Sequence, residues 1–171
     1  MNKILFLDRD GIINIDKGFV ASLEDFEFHP DIFKLCHFFQ EKGYKIIVVT
    51  NQTGIGCGLY TLDDFLCVNR YMLEEFKKRN IQILDVYYCP HNPKANCDCR
   101  KPKPKMILDA LKKYDGDPSN SIMIGDKISD VMAGYMANIR NLFFLKENYR
   151  PADLGFNYSI VSKLSEIWEC F

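Results

Sequence analysis

Little in this sequence suits a secreted, membrane-spanning or nucleic-acid-binding protein. Charge of one sign is missing: the formal net charge is −1, so no global field gathers nucleic acid or an anionic bilayer. Long hydrophobic runs are missing too. Stretches such as Ile46–Val49 and Ile139–Leu145 fall far short of a membrane span. Met1–Leu7 is too brief an apolar lead for a secretory signal, so a cytoplasmic location is expected. There are seven cysteines, and an odd number does not make a complete disulfide framework. Histidine is scarce, with three in the chain, and only one stands among clustered cysteines.

What is present describes one soluble globular unit. The 171 residues are 47% hydrophobic and 26% charged, enough for a real core with little room for a second domain. Residues 1–171 are therefore read as a single domain. Short apolar runs ending in polar residues predict buried strands at Lys3–Leu7, Lys45–Val49, Asp85–Tyr88, Ser121–Ile124 and Asn141–Leu145. Helical spacing follows Asp31, Thr61 and Pro104, and recurs over Asp130–Ala137 and Ser162–Cys170. Thr61 followed by Asp64 is a weak capping-box signal. Strands alternating with helices imply an α/β fold, a Rossmann-like parallel sheet with helices on both faces. Gly11–Phe28 is too long for a turn and too short for a domain, so a hairpin or flap is expected there.

Ligands of open parallel sheets bind beyond the carboxyl ends of the strands. Asp8 and Asp10, Thr50 and Asn51, Cys89, and Asp126 all fall at such ends. Asp8-Arg9-Asp10-Gly11 offers one carboxylate to attack phosphorus and a second to move a proton, although a polar turn would look similar. Gly125-Asp126-Lys127 adds a carboxylate, and Mg²⁺ needs only one or two of these beside a substrate phosphate. Asp126 is the better ligand, whereas Asp130 is expected to orient the loop or cap the next helix. Thr50 and Asn51 can hold phosphoryl oxygens, and Lys127 is a credible substrate contact. Within Arg100–Lys105 the prolines stiffen a basic run that would otherwise read as a solvated surface. Lys101 could neutralise a phosphoryl group and Arg100 could grip a second anion bidentately. Lys103 and Lys105 are expected to stay exposed.

Cys89, His91, Cys97 and Cys99 make a Cys₃His set suited to tetrahedral zinc. Four protein ligands leave no open position, so a structural Zn²⁺ presenting Arg100 and Lys101 is expected. His29 and His37 are given no role.

An acidic pair, a threonine, a lysine and a distal aspartate on successive strand ends resemble the haloacid-dehalogenase superfamily of phosphohydrolases. The resemblance implies Asp8 as nucleophile, Asp10 as general acid and base, and Mg²⁺ held by Asp8, Asp126 and the Asp10 carbonyl. It also implies that Thr50 and Lys101 hold the phosphoryl group. The segments Phe6–Gly11, Thr50-Asn51-Gln52, Tyr88–His91, Cys97–Pro102 and Gly125-Asp126-Lys127 further resemble the heptose 1,7-bisphosphate 7-phosphatase family. That family lacks a large cap domain, is usually monomeric, and contacts its small phosphorylated sugar through a segment matching Asp16, Gly18 and Phe19. Gly56-Cys57-Gly58 departs from the family's Ala-Arg-Gly, and Lys105 replaces a usual glycine. The gap between His91 and Cys97 is closer to the histidinol-phosphate phosphatase domain, which makes histidinol phosphate the alternative substrate. A zinc-stabilised binding module without catalysis is a third reading, opposed by the intact Asp8, Asp10, Lys101 and Asp126.

Overall fold

The centre of the molecule is built from the short apolar runs, and the computed structural model describes residues 1–171 throughout. The strands are β1 (Ile4–Leu7), β2 (Lys45–Asn51), β3 (Ile83–Cys89), β4 (Ile122–Gly125), β5 (Asn141–Leu145) and β6 (Ser159–Val161). They form one sheet in the order β3-β2-β1-β4-β5-β6, with every neighbouring pair parallel. The chain order reverses direction between β1 and β4, the place where such sheets open a crevice.

Alternation along the central strands feeds two cores. Leu5 and Leu7, Ile46 and Val48, and Ile122 and Ile124 face one side, while Ile4, Phe6, Ile47, Val49 and Met123 face the other. The first side is covered by α1 (Ile32–Glu41), by α3 (Leu62–Lys78) and by the short α6 (Ser165–Trp168) near the C-terminus. The second is covered by α4 (Lys105–Lys113) and α5 (Ile128–Met136). Both faces of the sheet are thus buried, as continuous hydrophobic strands require. A one-turn α2 (Thr53–Gly56) follows β2 directly.

The edges of these elements differ from the sequence expectation for local reasons. β2 runs on through Thr50 and Asn51, because β3 pairs with both of them. β6 escapes periodicity because it is only Ser159–Val161, and the last helix shrinks from Ser162–Cys170 to Ser165–Trp168. α5 begins before Asp130, so that carboxylate lies within the first turn. Thr61 and Asp64 form the full capping box: Asp64 N donates to Thr61 Oγ1 at 3.1 Å and Thr61 N donates to Asp64 Oδ2 at 2.8 Å. Asp31 sits at the start of α1 without a side-chain cap bond.

Gly11–Phe28 carries no hairpin. It is a looped flap anchored by Ile12, Ile13, Val20 and Phe26 in the core, with single bridges linking Asn14 to Asp10 and to Phe28. No helix is long and apolar enough to cross a membrane.

Candidate active site

Asp8 leaves the tip of β1, and its N–H donates to Ile124 O of β4 at 3.0 Å. That bond spans the switch point and sets Asp8 beside Asp126, which follows β4. One ligand oxygen from each of Asp8, Asp126 and Asp130 falls within a 4.8 Å cluster. Gly11 makes the approach feasible: at φ +93° it adopts the left-handed region, and a Cβ there would collide with the Asp126 carboxylate.

Lys101 holds the cluster together. Its Nζ lies 2.9 Å from Asp8 Oδ1 and 2.7 Å from Asp130 Oδ1, and donates to Val49 O at 2.6 Å. The ammonium is almost fully buried, at 2% side-chain exposure. Burial works to lower its pKa, but the Asp130 and Asp8 charges outweigh burial and raise it, so it stays charged. Asp130 Oδ2 also accepts from Lys127 N at 3.0 Å, in line with the loop-orienting or capping role expected of it, whereas its pairing with Lys101 was not expected. Asp8 Oδ1 takes a second bond from Arg9 N at 2.8 Å, whereas Oδ2 takes none from the protein. Burial and the Asp130 charge raise Asp8, against the pull of Lys101. Asp126 is pushed up to about 7, by burial first and then by Asp8. Its buried Oδ1 has no hydrogen-bond partner. Two crowded carboxylates, one with an orphaned oxygen, fit a hard divalent cation such as Mg²⁺.

The remaining expected residues gather around this point. Asn51 clamps the Lys101 backbone: Oδ1 accepts from its N–H at 3.0 Å and Nδ2 donates to its carbonyl at 3.1 Å. Thr50 is wholly buried behind the strand end, its Oγ1 accepting from Gln52 Nε2 at 2.9 Å. A cleft of about 540 Å³ opens above, lined by Asp10, Asp16, Phe19, Arg100, Lys101 and Lys127 among others. Asp16 Oδ1 accepts from Gly18 N at 3.0 Å, and Asp16 Oδ2 pairs with Lys127 Nζ at 3.3 Å. Burial opposes the charge on Lys127, but Asp126, Asp8 and Asp16 outweigh it and raise the pKa. Phe19 is 60% exposed at the rim. Arg100 Nη1 donates to Thr53 Oγ1 at 2.6 Å. The cleft is thus lined by three cationic side chains, Arg100, Lys101 and Lys127, an arrangement suited to an anionic substrate.

Cys89 ends β3, and the loop after it returns Cys97 and Cys99 towards His91. Cys89 Sγ lies 3.5 Å from His91 Nδ1 and 3.5 Å from Cys97 Sγ, and Cys99 Sγ lies 3.2 Å from His91 Nδ1 and 3.7 Å from Cys97 Sγ. Zinc–thiolate bonds of about 2.3 Å give tetrahedron edges of roughly 3.8 Å, so the four donors fit zinc closely. Lys103, expected to be exposed, is half-buried here because Nζ donates to Cys97 O at 2.7 Å.

Several participants were given no role of their own from the sequence. Arg9, 1% exposed, looked like turn filler between two aspartates, yet its Nη2 donates to Asp10 Oδ1 at 2.8 Å and to Val20 O at 2.7 Å. Asn14, Gln52 and Tyr60 join the same network. Their polar atoms meet Asp10 only through tertiary contacts, which periodicity does not reveal.

Comparison with known proteins supplies the family and the fold. The HAD-hydrolase-like family model matches residues 98–167. The chain is 49% identical over 148 residues to D-glycero-beta-D-manno-heptose-1,7-bisphosphate 7-phosphatase of Helicobacter pylori, covering 86% of each chain. It is 48% identical over 151 residues to D-glycero-alpha-D-manno-heptose-1,7-bisphosphate 7-phosphatase of Campylobacter jejuni, covering 88% of this chain and 87% of that one. Among solved structures, a protein assigned as a HAD-like phosphatase from Mesorhizobium loti superposes with a TM-score of 0.87 at 27% identity, over 98% of this chain and 85% of that one. D,D-heptose 1,7-bisphosphate phosphatase from B. bronchiseptica, complexed with magnesium and phosphate, shares the fold with a TM-score of 0.86 at 24% identity, over 98% and 97% of the two chains. These likenesses weigh against the histidinol-phosphate alternative. The chain belongs to the heptose-1,7-bisphosphate 7-phosphatase family of HAD-like phosphatases.

Proposed function

We propose that the chain removes the C7 phosphate of D-glycero-D-manno-heptose 1,7-bisphosphate through an aspartyl phosphate on Asp8, with catalytic Mg²⁺ and structural Zn²⁺. The reaction serves heptose precursor synthesis for surface polysaccharide. The observation that carries the reading is Asp8 itself: Oδ1 is fixed by Lys101 and Arg9 N, while Oδ2 is free of protein bonds beside Asp126. A nucleophile needs one oxygen oriented and the other unencumbered. The relatives named above support the sugar bisphosphate as substrate.

Asp8 Oδ2 forms the new bond to phosphorus as the ester P–O bond breaks and its electron pair leaves with the sugar oxygen. Asp10 gives that oxygen a proton. In the second half, water attacks phosphorus while Asp10 takes its proton, the bond from phosphorus to Asp8 Oδ2 breaks with its electron pair returning to the carboxylate, and inorganic phosphate leaves. Lys101, with Thr50 behind it, steadies the phosphoryl charge. When bound to Asp8, Asp126 and the Asp10 carbonyl, Mg²⁺ supplies charge neutralisation at the phosphoryl oxygens. Zinc on Cys89, His91, Cys97 and Cys99 would hold the loop that presents Arg100 and Lys101. Arg100, Lys127, Asn51 and the Asp16–Phe19 rim select the substrate. The chain acts as one domain and as a monomer in the cytoplasm; its seven unpaired cysteines suit a reducing compartment.

Phosphate release from both anomers of the heptose bisphosphate, and from histidinol phosphate, tests the assignment. Expected is Mg²⁺-dependent turnover of a heptose bisphosphate, abolished by EDTA and far exceeding turnover of histidinol phosphate. Preference for histidinol phosphate would overturn the substrate, and turnover unaffected by EDTA would overturn the metal.

A further inference from the structure

The two oxygens of Asp10 are treated unequally. Oδ1 accepts from Arg9 Nη2 at 2.8 Å, Arg9 Nε at 3.2 Å and Asn14 Nδ2 at 3.1 Å. None of these donors can accept a hydrogen bond. A proton on Oδ1 would point into a wall of N–H groups. Arg9 cannot turn aside, because it is buried and also bound to Val20 O.

Oδ2 has a single protein partner, Gln52 Nε2 at 3.1 Å. Gln52 is 1% exposed, and its side chain is fully committed. Nε2 also donates to Thr50 Oγ1 at 2.9 Å, and Oε1 accepts from Tyr60 O–H at 2.7 Å. If the amide flipped, its oxygen would face Oδ2 and the Tyr60 bond would have to reverse. Gly54 lets the Tyr60 ring lie where it does, because a Cβ at that position would collide with the ring.

We propose that Gln52 and Tyr60 are positioning residues: Tyr60 fixes the Gln52 amide, and the amide fixes Oδ2 of Asp10 as the oxygen serving the leaving group. Arg9 and Asn14 hold one end of the carboxylate, and Gln52 stops rotation at the other. The inference rests on the reading of Asp10 as the proton donor. General acid catalysis is strongly geometry-dependent, and its loss matters most when the departing oxygen is a poor leaving group. An alkoxide needs the proton; a nitrophenolate does not.

The test measures single-turnover phosphoryl transfer in Mg²⁺ from an alkyl phosphate and from p-nitrophenyl phosphate. Gln52→Leu should slow the alkyl ester about 100-fold and the nitrophenyl ester less than about threefold, since general acids typically supply roughly 10²–10⁴. Gln52→Glu, which keeps the shape but replaces the donor with an acceptor, should show the same split. Tyr60→Phe, the mildest change, should slow the alkyl ester about fivefold with the same selectivity. Equal losses on both esters would mean a merely structural role and overturn the proposal, as would full activity of Gln52→Glu. Asp10→Asn separates the two readings. If it shows no leaving-group split, the proton-donor reading itself fails; if it shows one and the Gln52 variants do not, only the present inference fails.

Discussion

The two ligand clusters sit on opposite kinds of support. Asp8 and Asp126 stand at the ends of β1 and β4, adjacent strands in the sheet interior, and Lys101 ties Asp8 to Asp130 at 2% exposure. The thiol cluster hangs from β3, an edge strand, in a loop where His91 is exposed. The first cluster is preorganised by protein contacts and holds excess negative charge. The second has Cys89 in the core and Cys97 and Cys99 packed against it, while His91 stands exposed on the loop. A cation should therefore complete the charge balance at the first and the structure at the second. The two are mechanically joined: Gln52 N donates to Cys89 O at 2.8 Å, and Gly56 packs against the His91–Asn92 backbone so closely that a Cβ would not fit.

The largest effect expected is on turnover. Asp8→Asn should abolish hydrolysis, because an amide oxygen does not form the acyl phosphate. Its stability without Mg²⁺ should not fall, since the amide oxygen can still accept from Lys101 and Arg9 N while one repelling charge disappears. Steady-state kinetics and thermal melts read the two outcomes, and retained turnover would break the mechanism. Lys101→Met should instead cost both, by about 3–5 kcal/mol in stability, because it leaves Asp8 and Asp130 buried without compensation.

Next comes metal removal. Zinc analysis should find about one Zn²⁺ per chain, and Cys99→Ser should lower the melting temperature and expose the loop to protease. EDTA used briefly to strip Mg²⁺ should leave the fold intact. If both treatments unfolded the protein alike, the contrast between the clusters would be wrong.

A smaller effect follows from Asp126. Its pKa is raised from 3.8 to about 7, first by burial. The folded metal-free protein therefore keeps a proton that the unfolded chain loses at lower pH. That contribution to stability is complete below the unfolded value and is lost as pH rises through about 7. Mg²⁺ needs the carboxylate, so its stabilising effect should grow over the same window. Melting temperatures with and without Mg²⁺ at about pH 5.5 and about pH 8 should show the larger increment at the higher pH. A constant increment would place Asp126 outside the cation site.

The same contrast explains what was legible in the sequence. Asp8, Asp126 and the Cys–His set announced themselves because strand ends and ligand spacing are local properties. The sheet was legible because Ile4–Leu7, Lys45–Val49 and Ile122–Ile124 are continuous apolar runs. Ser159–Val161 was not, being too short to show a period. The roles of Arg9 and Gln52 were hidden for another reason. Their role depends on which carboxylate oxygen they meet, and that is fixed by side-chain packing between β1, β2 and the flap. The half-burial of Lys103 was missed similarly, since a lysine between prolines reads as solvated.

Lys103 also gives the smallest and sharpest test of the comparison. Its Nζ donates to Cys97 O at 2.7 Å and pairs with Asp98 at 3.3 Å, with 42% and 84% of the two side chains exposed. An ion pair so open to solvent is worth roughly 0–1 kcal/mol. With zinc bound, the bond from its thiolate to the metal already fixes Cys97, so Lys103→Met should change the melting temperature hardly at all. Without zinc, Cys97 would keep its packing against the core and the Lys103 bond to its carbonyl, so the lysine should carry a larger share of the restraint. The variant should then release the loop more readily than the parent, seen as faster hydrogen exchange over residues 92–100. The double comparison, variant against parent with and without zinc, isolates the coupling. An equal effect in both states would mean that the loop is held by its own packing, and that zinc is not what organises it.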